Sequence, residues 1–364
     1  MFAVGINYPW VTCGHDFGPR PAPWGGAPPT DWDEVERTLV ALAQDGIRSV
    51  RWWILGGGVN LPPEVGPSSI ARREPWLEPW GRRAPLVRWR RRTPERWVPF
   101  DRLPALERGF IADVERLLLA CRRSGVRLWP SLVSFELFLP IEDQVGGVTS
   151  RGLSALALGE RMHGFLDATL EPLLDVCARY ADAIEAFEVA NEPGWALVPN
   201  WEKARWGSHP AWVSAIALSD FLVEGARRIA ARGLLATIGF LDADPSWLPP
   251  SAKMTLRRLA ERGAYRHQTH HYPSVTGRAR LPHASEAISR PCWVGELATS
   301  RHGAWKELGR EEQGTFLERR LALVRDRGYE GALLWAYRAE DPHVDWSDSV
   351  RAQVRRFCEA ERAA

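Results

Sequence analysis

Two glutamates stand out because each closes an apolar run. FEVANEPGW, residues 187–195, reads as a buried strand that stops at Asn191, Glu192 and Pro193. PCWVGEL, residues 291–297, stops in the same way near Glu296. A carboxylate at the end of a hydrophobic strand is costly unless it is paired or used. If both strands belong to one sheet, the two carboxylates share its C-terminal edge. A facing pair can divide acid–base work, because environment pushes one pKa up and the other down. That division suits a glycosidic bond: one group protonates the leaving oxygen, and the other attacks or supports the anomeric carbon. A single buried glutamate reads equally well as a salt-bridged structural residue. Two at one edge, beside Arg51 and several aromatics, favour chemistry.

The rest of the chain must put them there. Strand-like runs fall at 2–7, 47–54, 126–135, 184–190, 234–240, 264–272, 291–297 and 331–337. Amphipathic helical patterns lie between them, at 31–46, about 104–123, 159–180, 211–232, 251–262 and 309–327, with another over the C-terminal SDSVRAQVRRFCEAERAA. The first helix starts after Thr30, repeats Val35, Leu39, Leu42 and Ala43 on one face, and stops at Gly46. Such alternation implies a parallel sheet, and the count and length favour a closed (β/α)8 TIM barrel over an open doubly wound sheet. No composition break marks a linker, so residues 1–364 are expected to form one barrel domain. The Arg-, Pro- and Trp-rich segment 55–100 reads as a long loop inserted after strand two. GGG at 56–58 lacks the later spacing of a dinucleotide-binding loop.

Active sites of such barrels lie at the C-terminal ends of the strands. Those ends gather the candidates: Asn7, Arg51 with Trp52 and Trp53, Asn191 with Glu192, the His270-His271-Tyr272 run, Glu296 and Trp335. Arg51 is suited to holding a carboxylate ionised. HQTHHY offers three histidines, but adjacent strand residues point to opposite faces, so His270 and His271 do not converge on one ion and no metal is expected. TCGHDFG, after strand one, places His15 and Asp16 either in the site or in a turn held by the Asp side chain.

Composition narrows the classes. A net charge of +2 gives no overall field for nucleic acid or membrane binding. RWRRRTPERW, residues 88–97, looks locally like a nucleic-acid patch but reads better as an exposed loop balanced by nearby carboxylates. No run approaches the length of a membrane span. MFAVGINYPW goes directly into a strand-like run without a leader pattern, so the chain as given is expected to be cytoplasmic; a removed signal peptide would leave the same appearance. Five scattered cysteines, with no CxxC, read as buried free thiols. The 19 tryptophans are many, and Trp10, Trp24, Trp76, Trp80, Trp89, Trp97, Trp195, Trp201 and Trp206 fall in loops. Their faces either stack on sugars, bases or partner proteins, or cover long loops as small cores.

NEP after strand four, WVGEL in strand seven, VRWW in strand two, H-x-Y at His270 and Tyr272, and Trp335 in strand eight occur in one order from end to end. This set resembles clan A of the glycoside hydrolases, most closely family 5, the cellulase- and mannanase-type enzymes. The resemblance implies Glu192 as acid/base, Asn191 beside it on the sugar 2-hydroxyl, and Glu296 as nucleophile. It implies Arg51 and Tyr272 as supports of the nucleophile and Trp335 as the platform under the reacting sugar. Asn7, Trp53 and His270 join them as substrate-binding candidates. The expected activity is retaining hydrolysis of β-glycosidic bonds in a β-glucan, β-mannan or related glycan, with no cofactor. One departure lies in strand three, where SLVSFEL lacks the histidine of many members and leaves Ser134 or Glu136 for that wall.

Other classes fit less well. Transglycosylation would use the same residues. A non-catalytic glycan-binding barrel would keep the tryptophans without needing both carboxylates. A phosphate-binding barrel would want a glycine-rich loop after strand seven or eight, and ELATSRHG and AYRAEDPH match poorly. No GxSxG elbow is present. The sequence carries no signal for oligomeric state.

Overall fold

The computed structural model describes residues 2–11, 16–18, 30–58, 106, 108–138, 144–145, 148–149, 157–197, 213–272, 281–299, 310–337 and 346–364. Eight parallel strands close into a barrel in chain order: β1 (Ala3–Asn7), β2 (Ser49–Trp53), β3 (Arg127–Ser134), β4 (Phe187–Asn191), β5 (Ala236–Phe240), β6 (His267–His271), β7 (Cys292–Ala298) and β8 (Gly331–Trp335). The seam is β1 with β8, where Ala3 registers with Gly331 and Ile6 with Leu334. Helices α1 (Trp32–Gln44), α2 (Arg108–Ser124), α3 (Met162–Arg179), α4 (Ala215–Ala231), α5 (Pro250–Glu261), α6 (Arg310–Asp326) and α7 (Asp348–Ala363) surround it. The fold is the (β/α)8 barrel expected. Between β6 and β7 the described residues contain only a 3-10 turn, Ala284–Glu286, in place of a helix. Of the 55–100 insertion, residues 59–100 lie outside the described residues, as do Cys13, His15 and the 88–97 run.

Local rules explain the helix ends. The Asp31 carboxylate caps α1 by accepting from the backbone N–H groups of Asp33 and Glu34. Gly46, at φ +91, lets the chain leave α1 and enter β2. Outer strand faces and inner helix faces then bury one apolar shell, including Leu39, Val50, Leu117, Leu132, Val189, Phe221, Ile238 and Val354. Cys121, Cys177, Cys292 and Cys358 are buried free thiols, as the sequence suggested.

The barrel interior is different. Its N-terminal end is filled by Trp129, Trp293, Leu333 and Ala186, the two indoles 5.3 Å apart at their centroids. Arg266 lies over Trp293 at 5.0 Å and is paired with Glu185 at 2.5 Å, which keeps that cation bonded. Above this apolar plug the inward positions turn polar: Ser131, Glu188, Arg51, Gln268, Asn7 and His270 are all buried. Room for them comes from glycine. A Cβ on Gly295 would overlap the Gln268 carboxamide and lie 3.0 Å from His270 Nε2.

Gly295→Ala is therefore expected to lower stability by roughly 1–3 kcal/mol through overpacking. Gly109→Ala, on α2 with nothing near the added methyl, is expected to raise it by about 0.5–1 kcal/mol. Urea unfolding of both variants beside the parent chain checks the contrast. Equal effects would mean that the interior has slack.

Candidate active site

Arg51, at the inner C-terminal part of β2, is fully enclosed and uses all five N–H donors. Nε donates to Glu188 Oε2 at 2.9 Å and Nη2 to Glu188 Oε1 at 2.7 Å, a two-pronged pair. Nη1 donates to Glu296 Oε1 at 2.7 Å and to Asn7 Oδ1 at 2.9 Å. Nη2 also donates to Asn191 Oδ1 at 2.7 Å. One cation thus ties together β1, β2, β4 and β7. Glu188 accepts further from Ser131 Oγ at 2.6 Å and from Gln268 Nε2.

Glu192 stands where β4 ends. Among the described residues it is the one non-glycine with positive φ, at φ 46 and ψ 45. That left-handed conformation costs a non-glycine residue about 1–2 kcal/mol. Pro193 follows and opens a 3-10 turn, so the strand breaks and Glu192 is left at the rim with its side chain 12% exposed. Its Oε1 lies 2.7 Å from His270 Nδ1, and its Oε2 accepts from Trp195 Nε1 at 2.9 Å. Glu296 Oε1 lies 3.5 Å from the same His270 nitrogen, and Glu296 Oε2 accepts from Tyr272 Oη at 2.7 Å. One oxygen of Glu192, one of Glu296 and a ring nitrogen of His270 all lie within 4.8 Å of one another.

The two carboxyls sit in unlike surroundings. Burial pushes Glu192 up to about 7, Glu188 adds to the rise, and Arg51 and the Trp195 hydrogen bond oppose it. Burial also raises Glu296, with Glu192 adding and with His270, Arg51 and the Tyr272 hydrogen bond opposing. Two strong donors on its own oxygens make Glu296 the carboxyl built to carry charge. Burial holds His270 down to about 4, so it is neutral at neutral pH. The 2.7 Å contact between His270 and Glu192 then needs one proton, supplied by one or the other. Burial alone would lower Arg51, but the Glu188 and Glu296 carboxylates outweigh it and keep the guanidinium charged.

The candidates read from the sequence converge, but in two tiers. Glu192, His270, Tyr272 and Glu296 share one cluster. Trp53 and Trp335 stand beside it as an edge-on pair with centroids 5.7 Å apart, and Trp10 meets Trp53 at 6.1 Å. Arg51 and Asn7 were expected to touch substrate; they lie beneath the mouth. Neither has exposed surface, and Asn7 spends its amide on the Gly295 and Leu334 carbonyls. Asn191 lies between the tiers, giving its amide to Ser134 Oγ at 3.3 Å. Strand alternation separates the histidines as expected: His270 turns inward, whereas His271 meets Arg320 and His267 stacks on Phe240. Asp16 accepts from the Val11 N–H and the Trp52 indole, which is the turn reading of that motif.

The sequence reading missed Glu188, Gln268, Ser131 and Trp195 as parts of the site. For Glu188 a signal existed. It lies two residues before Ala190 on the same face of the strand, and an inward charge in a barrel demands a partner.

The Glu192–His270–Glu296 group also has the spacing of a cation site. Arg51, already bonded to Glu296, argues against that use, because a guanidinium at 2.7 Å repels a second cation.

No protein-family model matches the sequence, and no curated protein matches it. Solved structures match in fold. A β-mannanase from the blue mussel Mytilus edulis aligns with TM-score 0.63 at 18% identity, covering 98% of this chain and 91% of that one. A β-1,4-mannanase from the common sea hare Aplysia kurodai gives 0.62 at 17%, covering 98% and 92%. A GH5_18 from Bifidobacterium longum subsp. infantis gives 0.55 at 13%, covering 99% and 79%. At these identities the likeness is one of fold.

The raised Glu192 has a measurable consequence. Its folded pKa of about 7 exceeds the ordinary 4.5, so folding favours the protonated form. That stabilisation is full below about 4.5 and is lost as pH rises through about 7, a swing of about 3 kcal/mol. Glu192→Gln removes the titration. Its melting temperature is expected to gain on the parent's steadily between pH 4.5 and 7, with no further gain above. A constant difference across that range would mean that Glu192 titrates normally.

Proposed function

We propose that this chain is a retaining β-glycoside hydrolase of the family 5 type. The observation that carries the reading is the approach of Glu192 and Glu296 to within 4.8 Å, with Arg51 and Tyr272 donating to Glu296 alone of the two. Carboxyls about 5–5.5 Å apart suit a double displacement, whereas inversion needs about 6.5–9.5 Å to seat a water. The hydrogen bonds from Arg51 and Tyr272 favour charge on Glu296 and support it as the nucleophile. Glu192, held protonated up to about pH 7, is the acid.

In the first step Glu296 forms a bond to the anomeric carbon. The glycosidic C–O bond breaks, and the Glu192 proton goes to the departing oxygen. The product is a glycosyl ester on Glu296 and a free aglycone. In the second step the Glu192 carboxylate takes a proton from water. The water oxygen bonds to the anomeric carbon, the ester bond breaks, and Glu296 is regenerated as a carboxylate. Inversion at each step gives net retention. Trp335, partly exposed at the end of β8, offers an apolar face for the sugar ring; Trp53, expected to join it, is buried with Arg51 over its ring and backs Trp335 edge-on. Two of the like-folded structures are named mannanases, which puts β-mannan first among the glycans to try, ahead of β-glucan and xylan.

The test is product release from β-mannan, β-glucan, xylan and aryl β-glycosides. Glu296→Ala is expected to lose activity roughly 1,000-fold or more, with azide yielding a glycosyl azide of inverted configuration. Glu192→Ala is expected to lose about 100- to 10,000-fold on poor leaving groups and to give the retained azide. The pH profile of kcat/KM should fall on its alkaline side near 7, as Glu192 loses its proton. Activity that survives Glu296→Ala, or a profile still rising above pH 8, would overturn the assignment.

A further inference from the structure

Glu188 is a buried carboxylate that the two-step reaction leaves without a task. It is fully enclosed, and its oxygens accept from Arg51 Nε, Arg51 Nη2, Ser131 Oγ and Gln268 Nε2. Three strands thus supply donors to one carboxylate that never reaches the mouth. Resting on the hydrolase reading above, we propose that Glu188 is a positioning residue for the reaction: it fixes the plane of the Arg51 guanidinium and offsets its charge, so that Arg51 orients Glu296 without suppressing its nucleophilicity.

Geometry carries the first half. A guanidinium is planar, so gripping its Nε and Nη2 edge sets where Nη1 points. Nη1 is the nitrogen that meets Glu296 at 2.7 Å. Charge carries the second half. The charged and titratable groups around this pair are Glu192 at the end of β4, Tyr265 just before β6, His270 on β6, Tyr272 just beyond it and Glu296 on β7; burial and Glu188 push the Tyr265 hydroxyl further up, so it stays uncharged. His270 is neutral at working pH and Tyr272 is an uncharged donor. With Glu188 removed, Arg51 would face Glu296 and Glu192 undiluted. Both carboxyls would give up their protons more readily, leaving Glu296 a poorer nucleophile and Glu192 a poorer proton store. The effect of Glu188 on Glu192 runs in the direction this requires.

Two variants separate charge from orientation. Glu188→Gln keeps the shape and removes the charge. Glu188→Asp keeps the charge and shortens the reach by one methylene. The readouts are kcat and KM on the best glycan, circular-dichroism melting, and the titration of Glu192 by NMR of 13C-labelled glutamate. For Glu188→Gln the Glu192 titration should move down by roughly one pH unit, and the alkaline limb of kcat/KM with it. For Glu188→Asp the titration should stay in place while kcat drops on the order of 100-fold with KM little changed. Variants that melt lower yet keep the parental Glu192 titration and kcat would reduce Glu188 to scaffolding and overturn the proposal. If Glu188→Gln does not fold, Glu188→Asp decides alone: parental kcat refutes the positioning role. An inactive parent chain would refute the hydrolase reading, and the NMR titration, which needs no substrate, would still test the charge effect of Glu188.

Discussion

The interior of this barrel depends on the placement of one buried cation. Moving an ion out of water costs on the order of several kcal/mol, and that cost is recovered only if every donor finds an acceptor of good geometry. Arg51 meets the condition with five hydrogen bonds to Glu188, Glu296, Asn7 and Asn191. It also lies over the Trp53 ring, its central carbon 4.3 Å from the centroid. Much of the interior follows. Glu188 needs Ser131 and Gln268, Gln268 needs the space left by Gly295, and Asn7 needs the Gly295 and Leu334 carbonyls. The apolar plug of Trp129 and Trp293 closes the N-terminal end of the barrel below this network.

From that centre the two mouth carboxyls acquire different characters. Glu296 sits directly on Arg51 and receives a second bond from Tyr272. Glu192 makes no hydrogen bond to Arg51 and leans on neutral His270 and the Trp195 indole. Burial acts on both, but the donors are distributed unequally. Burial favours the proton on both, and the donors set against it fall mainly on Glu296, the asymmetry that the proposed reaction would use. The left-handed backbone at Glu192 belongs to the same design. It ends β4 at the one residue that must leave the wall, and Pro193 prevents the strand from continuing.

The fold was legible because periodicity reports burial. Alternating strand and helix patterns, with glycines such as Gly46 at helix ends, gave all eight strands to within a few residues. The cluster was legible to the extent that strand ends are. Glu192, Glu296, His270 and Tyr272 are polar interruptions of apolar runs, and such interruptions cost energy unless they meet. Asn7 and Arg51 were legible as parts of the site but not by depth, because a strand position alone does not say how far below the rim its side chain stops. Glu188 and Gln268 were overlooked because each reads, in isolation, as an ordinary polar residue in a short strand. Only the closed barrel shows that they face Arg51. Among the described residues, 281–291 form no α-helix between β6 and β7, in keeping with that stretch's lack of an amphipathic repeat.

The most direct measurement is mass spectrometry of the protein and its peptides after exposure to activated 2-deoxy-2-fluoro-β-glycosides of gluco and manno configuration. The fluorine slows both formation and release of a covalent intermediate, and the activated leaving group restores formation, so a double displacement leaves a sugar on its nucleophile. One sugar attached to Glu296 is the predicted result. A chain that cleaves glycan yet carries the sugar on Glu192, or that gives an inverted product with no adduct, would contradict the division of labour between the two carboxyls.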